Sequence, residues 1–318
     1  MQDPKGSNVD QKQPEHVSVL LQEAIDFLNV RRDGIYIDGT VGLGGHSYAI
    51  ASRLGPQGRL IGFDKDPAAL AIARSRIDPM LAARGDQAPQ VTLLHASFAE
   101  VGNWKRLVDP EGRLDLAKAD GLLADVGVSS MQLGDAQRGF SFQADGPLDM
   151  RMDPQAERTA DQVVNHMDET SLANVIYELG EERRSRRIAR AIVRARPIQS
   201  TAHLAKVIST AAPAMKHGKG RIHPATLTFQ ALRIFVNREL DDLEALLKSA
   251  PNVLRSGGRL VVISFHSLED RRVKDATREG ASEGIYRLLS KKPVTASEEE
   301  IDRNPRARSA KLRAVERV

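Results

Sequence analysis

The chain of 318 residues is long enough to bury a large core in one domain or two, and 46 Lys and Arg against 42 Asp and Glu leave a net charge of +4. That mild basic excess suits an anionic partner without requiring one. It contains no cysteine, which excludes a disulfide framework, a cysteine-held zinc or iron–sulfur centre and a thiolate nucleophile.

No apolar run is long enough to span a bilayer, and the polar stretch Met1 to Pro14 lacks the apolar centre of a secretory signal. The expectation is a cytoplasmic protein with no membrane partner and a poorly ordered tail over residues 1–14. Val17, Leu20, Leu21, Ala24 and Leu28 then recur at helical spacing, the signature of an amphipathic packing helix. The apolar run Ile35 to Asp38 is followed by Gly39, Gly42, Gly44 and Gly45, and helix-forming residues continue to Leu54 before Gly55 and Pro56. This reads as strand, glycine turn and helix start, and Arg59 to Phe63 supplies the second strand of a βαβ unit.

Glycines let backbone amides approach a ligand, and the helix turns its positive end to the same place. A dinucleotide loop wants G-x-G-x-x-G, and here Gly42, Gly44 and Ser47 hold those positions, so the third glycine is missing. Asp38 at the strand end fits instead a loop that receives the aminoacid and ribose parts of S-adenosylmethionine, which is favoured over a dinucleotide; a glycine turn with no ligand stays open as the bland alternative. Asp64 ends the second strand, 20 residues past Gly44, where such units place a carboxylate for ribose hydroxyls. Asp66 and Pro67 offer an N-cap and first residue for a helix over Ala68 to Ala83.

A third strand, Val91 to His95, leads to Phe98, which is read equally as a face for an adenine ring and as a core residue. The fourth, near Ala119 to Val126, carries Asp125 at its C-terminal end, so Asp38, Asp64, Phe98 and Asp125 converge on one sheet edge. Amino-group methyltransferases keep their reaction centre there, often with an acid or amide followed by two prolines and an aromatic ring; this chain has Asp125-Val-Gly-Val-Ser-Ser. Without cysteine, base methylation is restricted to direct transfer to nitrogen or oxygen.

Between Ala136 and Arg221 no strand pattern appears. Leu172, Val175, Ile176 and Leu179 form one apolar stripe and Leu204, Val207, Ile208 and Ala211 another, which predicts a helical unit. Arg183, Arg187, Arg190 and Arg194 fall on one helical face, in a stretch of seven arginines with no acid among them. A phosphate track for RNA and a merely solvated charged face are both consistent with it. Lys216, Lys219 and Arg221 add a basic loop. A helical pattern runs from Pro224 through Leu247, Leu260 to Ile263 reads as a fifth strand, and the tail from Ser309 is expected to close the sheet as a final edge strand. His217, His223 and His266 do not make a metal-spaced set, so no metal is expected and hydrogen-bonding roles are favoured.

The run from Asp125 to Asp153 contains R-G-F-S-F and D-G-P-L-D-M-R-M-D and fits no generic template. With Gly180-Glu181-Glu182, His223-Pro-Ala-Thr, Phe229-Gln-Ala-Leu-Arg-Ile, Ser264-Phe-His-Ser-Leu-Glu-Asp-Arg and Asn304-Pro-Arg-Ala-Arg-Ser-Ala-Lys-Leu-Arg, it resembles the bacterial 16S ribosomal RNA cytosine-N4 methyltransferases, the RsmH family also called MraW. The likeness covers His16 to the C-terminus. It implies an α/β fold, a Rossmann-like class I SAM-dependent methyltransferase sheet over residues 15–135 and 222–318, interrupted by an all-helical domain over 136–221. It implies S-adenosylmethionine as cofactor, held by Gly44, Gly45, His46, Asp64, Phe98, Asp125 and Gln132 beside the Asp38 and Gly42 of the loop. It also implies a cytidine N4 in the decoding region of 16S rRNA, naked or in the small ribosomal subunit, as acceptor. Asp125 or a neighbouring backbone carbonyl would then accept the N4–H bond. The sequence is compatible with a homodimer. Met131 stands where proline is expected and Leu227 where arginine is usual, and the latter weakens an RNA or cofactor contact there. The rivals are transfer to a ribose hydroxyl, with Lys274 and Glu269 as conceivable helpers, or to adenine N6; a non-catalytic RNA-binding protein; and a nicotinamide dehydrogenase.

Overall fold

The computed structural model describes residues 18–213 and 223–318. Val17 and the basic loop with Lys216, His217, Lys219 and Arg221 therefore lie outside the described residues. The first helix, α1 (Leu21–Leu28), buries Ala24, Ile25 and Leu28 and begins after Leu20, which takes a left-handed conformation. The predicted βαβ unit follows as β1 (Ile35–Asp38), α2 (Gly45–Arg53) and β2 (Arg59–Asp64). Asp66 caps α3 (Pro67–Arg84), its carboxylate accepting from the Ala68 amide, with Pro67 pre-set at the first position. Then come β3 (Gln90–His95), the short α4 (Trp104–Val108), β4 (Ala119–Asp125) and α5 (Ser130–Gly134).

The strand-free middle holds α6 (Ala160–His166), α7 (Glu169–Gly180), α8 (Ser185–Ala195) and α9 (Thr201–Ala211). The helical pattern expected without interruption from Pro224 to Leu247 is instead two helices, α10 (Thr226–Asn237) and α11 (Glu239–Val253), hinged on Arg238 in a left-handed conformation. Apolar periodicity passes through such a one-residue break unchanged, which is why spacing alone misses it. The chain ends with β5 (Leu254–Ser264), α12 (Ser267–Ser282), β6 (Tyr286–Leu288), α13 (Glu298–Arg303) and β7 (Lys311–Arg317).

The strands form one sheet in the order β3-β2-β1-β4-β5-β7-β6. The five strands β1 to β5 pair in parallel, whereas β7 runs antiparallel to both β5 and β6. The C-terminal strand is thus not the edge, as the sequence suggested. The three-residue β6 covers it, too short for a period-2 pattern to register. Registers of Asp38 with Gly62 and Leu123, of Asp64 with His95 and of Asp125 with Ile263 bring the ends of β1, β2 and β4 to one rim. Because the chain leaves β1 toward β2 and β3 and then returns to β4 on the other side, that rim includes the switch point where α/β sheets open a crevice.

One apolar layer, with Trp104, Leu243 and Leu246, covers one face of the sheet, and another, with Leu28, Ile50 and Leu54, covers the other. A separate core unites Leu172, Ile176, Ile188, Ile192, Leu204 and Ile208 of the helical segment with Phe229 and Leu232 of α10. The apolar stripes of the sequence therefore pack on one another and not on the sheet. Asn237 ties this body to the sheet. Its Oδ1 accepts from the Met152 amide at 2.6 Å, its Nδ2 donates to the Met150 carbonyl at 2.7 Å, and its own carbonyl accepts from Lys65 at the end of β2 at 2.8 Å.

Candidate active site

A cavity of about 490 Å³ opens beyond the C-terminal ends of β1, β2, β4 and β5, against the loop after β4 and the start of the helical body. Gly42, Gly45, His46, Asp64, Phe98, Asp125 and Gln132 line it, so most of the residues singled out from the sequence are brought together. Asp38 and Gly44 are not on its wall. Asp38 is fully buried beneath the glycine loop, where its Oδ2 accepts from Ser47 Oγ at 2.6 Å and its Oδ1 from the Thr40 amide at 3.1 Å. Gly44 has φ +81°, and a Cβ there would sit 3.0 Å from Ala73 of α3. It lets α2 start tight against its neighbouring helix.

Asp64 holds the loop from the other side. Its Oδ2 accepts from the Gly42 amide at 2.7 Å and its Oδ1 from the Asp66 amide at 2.9 Å. Each oxygen keeps a further lone pair for the cavity. Asp125 closes the floor: its amide donates to Thr40 Oγ1 at 2.6 Å, its Oδ2 lies 3.7 Å from His46 Nδ1, and its Oδ1 is buried with no hydrogen-bond partner among the described residues. Phe98 both lines the cavity and packs on the sheet core.

Burial dominates the electrostatics. It pushes the Asp38 carboxyl up to about 6 against the opposing hydrogen bonds from Ser47 and Thr40. It likewise pushes Asp64 up to about 6 despite the amides of Asp66 and Gly42. Asp125 is driven well above the usual carboxylate range by burial, then by repulsion from Asp38 and Glu269. Three carboxyls with disfavoured negative charge favour a ligand that carries a positive charge and hydroxyl donors. A sulfonium beside a ribose is such a ligand.

Several residues of the site escaped the sequence. Asp66, read only as a helix cap, is fully buried and also accepts at Oδ2 from Gln132 Nε2 at 2.9 Å and Arg138 Nη1 at 2.8 Å. Gln132 meanwhile accepts from the Ser129 amide at 3.0 Å and so fixes the loop after β4. The S-x-x-Q spacing of Ser129 and Gln132 was the available signal. Arg233 of α10, Phe265 after β5 and Arg306 also line the cavity, and no periodicity marks them. Met131 and Leu227 do not, and the Leu227 carbonyl packs on Gly180.

Arg187, Arg190 and Arg194 are exposed on α8, whereas Arg183, also exposed, lies in the turn before it. The predicted single face is thus three residues on the helix and one ahead of it. Arg190 pairs with Glu169 at 3.3 Å. Arg184, Arg186 and Arg196 are spent on Glu182, Asn174 and the Val164 and Met167 carbonyls. His223 stacks on Phe142 and its Nδ1 accepts from the Ala225 amide, and His266 caps α12. Glu269 completes that cap and Lys274 pairs with Asp275, so neither geometry calls for hydroxyl chemistry. Among the described residues no cluster of His, Asp and Glu is placed to hold a metal ion, and no helix is long and apolar enough to cross a membrane.

A family model described as the MraW methylase family matches residues 13–318. Proteins named "Ribosomal RNA small subunit methyltransferase H" from Koribacter versatilis and Acidobacterium capsulatum are 65% and 63% identical to this chain; the alignments cover 96% and 95% of it and 95% and 98% of those proteins. One of the same name from Solibacter usitatus is 49% identical, covering 95% of this chain and 99% of its own.

Proposed function

Since the chain belongs to the MraW methylase family, we propose that it transfers a methyl group from S-adenosylmethionine to the exocyclic N4 of a cytidine in the decoding region of 16S ribosomal RNA, as naked RNA or in the small subunit. The observation that carries the reading is the pair of raised carboxyls, Asp64 and Asp125, on the cavity wall at the ends of β2 and β4, with the buried Asp38 beneath the loop beside them. Their electrostatics fit a sulfonium, and Asp64 has lone pairs to spare for ribose hydroxyls.

S-adenosylmethionine supplies an already activated methyl group, so the protein's work is positioning and exclusion of water. Asp64 orients the ribose, the Gly42 to His46 turn borders the aminoacid end, and Phe98 offers a face to the adenine. Cytosine N4 is a weak nucleophile because its lone pair is conjugated with the ring. Asp125 Oδ1, which lacks a partner among the described residues, accepts an N4–H bond and localises that pair. The base leaves its stack to reach this depth, at a cost of about a few kcal/mol that a loop nucleotide largely avoids.

The helical body is the RNA-holding part in this reading. Residues 136–221 form the insert, and the packing of Phe229 and Leu232 supports counting α10 with it. The exposed Arg183, Arg187, Arg190 and Arg194 support a phosphate track. The action is cytoplasmic, where small subunits are assembled. Nucleoside mass spectrometry of ribosomal RNA from cells with and without the protein tests the whole: N4-methylated cytidine is expected to vanish with the gene. Its persistence, or loss of a ribose- or adenine-methylated nucleoside instead, would overturn the proposal.

A further inference from the structure

Arg233 is an unusual lining residue. It comes from α10 in the helical body, its side chain is only 15% exposed, and its Nε donates to Oε1 of the buried Glu239 at 2.9 Å. A guanidinium has five N–H donors in a planar fork. Among the described residues nothing accepts from Nη1 or Nη2, although the side chain lies on the cavity wall. A buried arginine ordinarily satisfies these groups. Here they remain for whatever enters.

The fork is also held from behind. Glu239 lies within electrostatic reach of Glu269 and His266. Glu269 accepts from the amides of Phe265 and His266 at 2.8 and 3.2 Å, and its Oε1 lies 2.9 Å from His266 Nε2. Glu239 orients the fork through its hydrogen bond, and the charge of Glu269, at the turn after β5, attracts the same guanidinium. Phe265, on that same turn, lines the cavity, and its ring faces Gly127 of the loop after β4. The cavity thus has two ends. Asp64 and Phe98 mark one, beyond β2 and β3; Asp125, Gly127 and Phe265 mark the other, beyond β4 and β5, and Glu269 links Arg233 to it because its charge bears on Asp125 as well.

We infer that Arg233 reads the acceptor base, donating from its Nη groups to the N3 and O2 acceptors of cytosine in a pocket walled by Phe265 and the loop after β4. This rests on the functional reading above and deepens it. Cytosine presents two adjacent acceptors followed by the N4 amino group along its Watson–Crick edge. A donor fork on N3 and O2 leaves N4 as the end directed to Asp125. Uracil has N3–H in the middle of that edge, which would face the guanidinium donor to donor, so the same contact rejects it.

The test uses 16S RNA ligated so that the target position carries cytidine or 3-deazacytidine, whose N3 acceptor is replaced by C–H, presented naked and assembled into small subunits. For the wild-type protein, kcat/KM is expected to fall about 10- to 100-fold on the 3-deaza RNA. Arg233→Gln should lower kcat/KM on cytidine by a similar factor and abolish most of the difference between the two RNAs, whereas an effect of the analogue on nucleophilicity alone would persist in the variant. Its affinity for S-adenosylhomocysteine and its thermal midpoint should match the wild type. If Arg233→Gln does not fold, Glu239→Gln, which frees the fork from its anchor, should show reduced discrimination. Equal rates of the wild type on both RNAs, undiminished discrimination in the folded variant, or weakened S-adenosylhomocysteine binding would each overturn the assignment. Absence of any N4 methyl on the cytidine RNA would instead overturn the functional reading on which it rests.

Discussion

In the proposed function Asp64 is one carboxylate asked to serve loop and ligand together. Its two oxygens already hold the Gly42 and Asp66 amides, and its pKa of about 6 means that ligand hydroxyls meet an ionised acceptor only above that pH. Below it a proton must leave before binding, so affinity for S-adenosylmethionine is expected to fall as pH drops through 6, by up to about tenfold per pH unit for each such group. Calorimetry at pH 5 and 8 measures this, and S-adenosylhomocysteine, lacking the sulfonium charge, should show a shallower dependence. Asp38 gives the opposite lesson in stability. Burial raises its folded pKa to about 6, above the 3.8 of an unperturbed carboxyl, so the native state binds the extra proton and its stability contribution is lost as pH rises through 6. Asp38→Asn, which cannot ionise, should therefore stabilise the ligand-free protein on the order of 1–3 kcal/mol at pH 8 and far less at pH 4, as read by urea unfolding at the two pH values. Asp125→Asn is expected to slow single-turnover methylation at saturating cofactor by about 100-fold; an unchanged rate removes the carboxylate from the chemistry.

Among the elements, the segment from Asp135 to Asp153 is the one that neither helix nor strand periodicity describes, and its order comes from cross-ties. The Met150 amide donates to the Arg138 carbonyl and the Asp161 amide to the Leu148 carbonyl. Arg138 Nη2 reaches the carbonyls of Arg151 and Met152, each at 2.9 Å. Gly146 exchanges hydrogen bonds with Thr201, and a Cβ on it would run into the Ala136 carbonyl oxygen. Gly146→Ala should accordingly cost about 2–4 kcal/mol, because the obstacle is backbone and cannot swing aside; a thermal midpoint within a degree of the wild type would contradict that packing. The hinge at Arg238 and the short β6 belong to the same scale. Each is set by partners far along the chain, Asn237 with the Met150 and Met152 backbone in one case and β7 in the other.

For the whole molecule, two bodies with separate cores meet over the cavity. The sheet rim brings the carboxyls, and the helical body brings Arg233 and the exposed arginines. Of the latter, Arg187 and Arg194 make no ion pair among the described residues, whereas Arg190 is shared with Glu169. Replacing Arg187 and Arg194 together with glutamine should weaken RNA binding and reduce the slope of log affinity against log salt by about 1.5. An unaltered slope would leave the solvated-face reading of these residues standing.

The sequence by itself determined the parts whose cause is local. A glycine turn after a strand, a carboxylate at the end of the next strand, a capping pair and apolar stripes each announce themselves within a few residues, and they located β1, β2, α3, the helical body and the part of the cavity wall at the ends of β1 and β2. Only the tertiary structure decided what each carboxylate does. Asp38 turned out to lie under the loop and Asp64 beside it because hydrogen-bond partners, and not spacing, settle which acid faces a cavity. Asp66 and Asn237 act across gaps of 66 to 172 residues, and Arg233 across the space between two bodies. Burial and long-range pairing leave no period in a sequence, so their chemistry becomes visible only when the sheet rim and the helical body close on the same cavity.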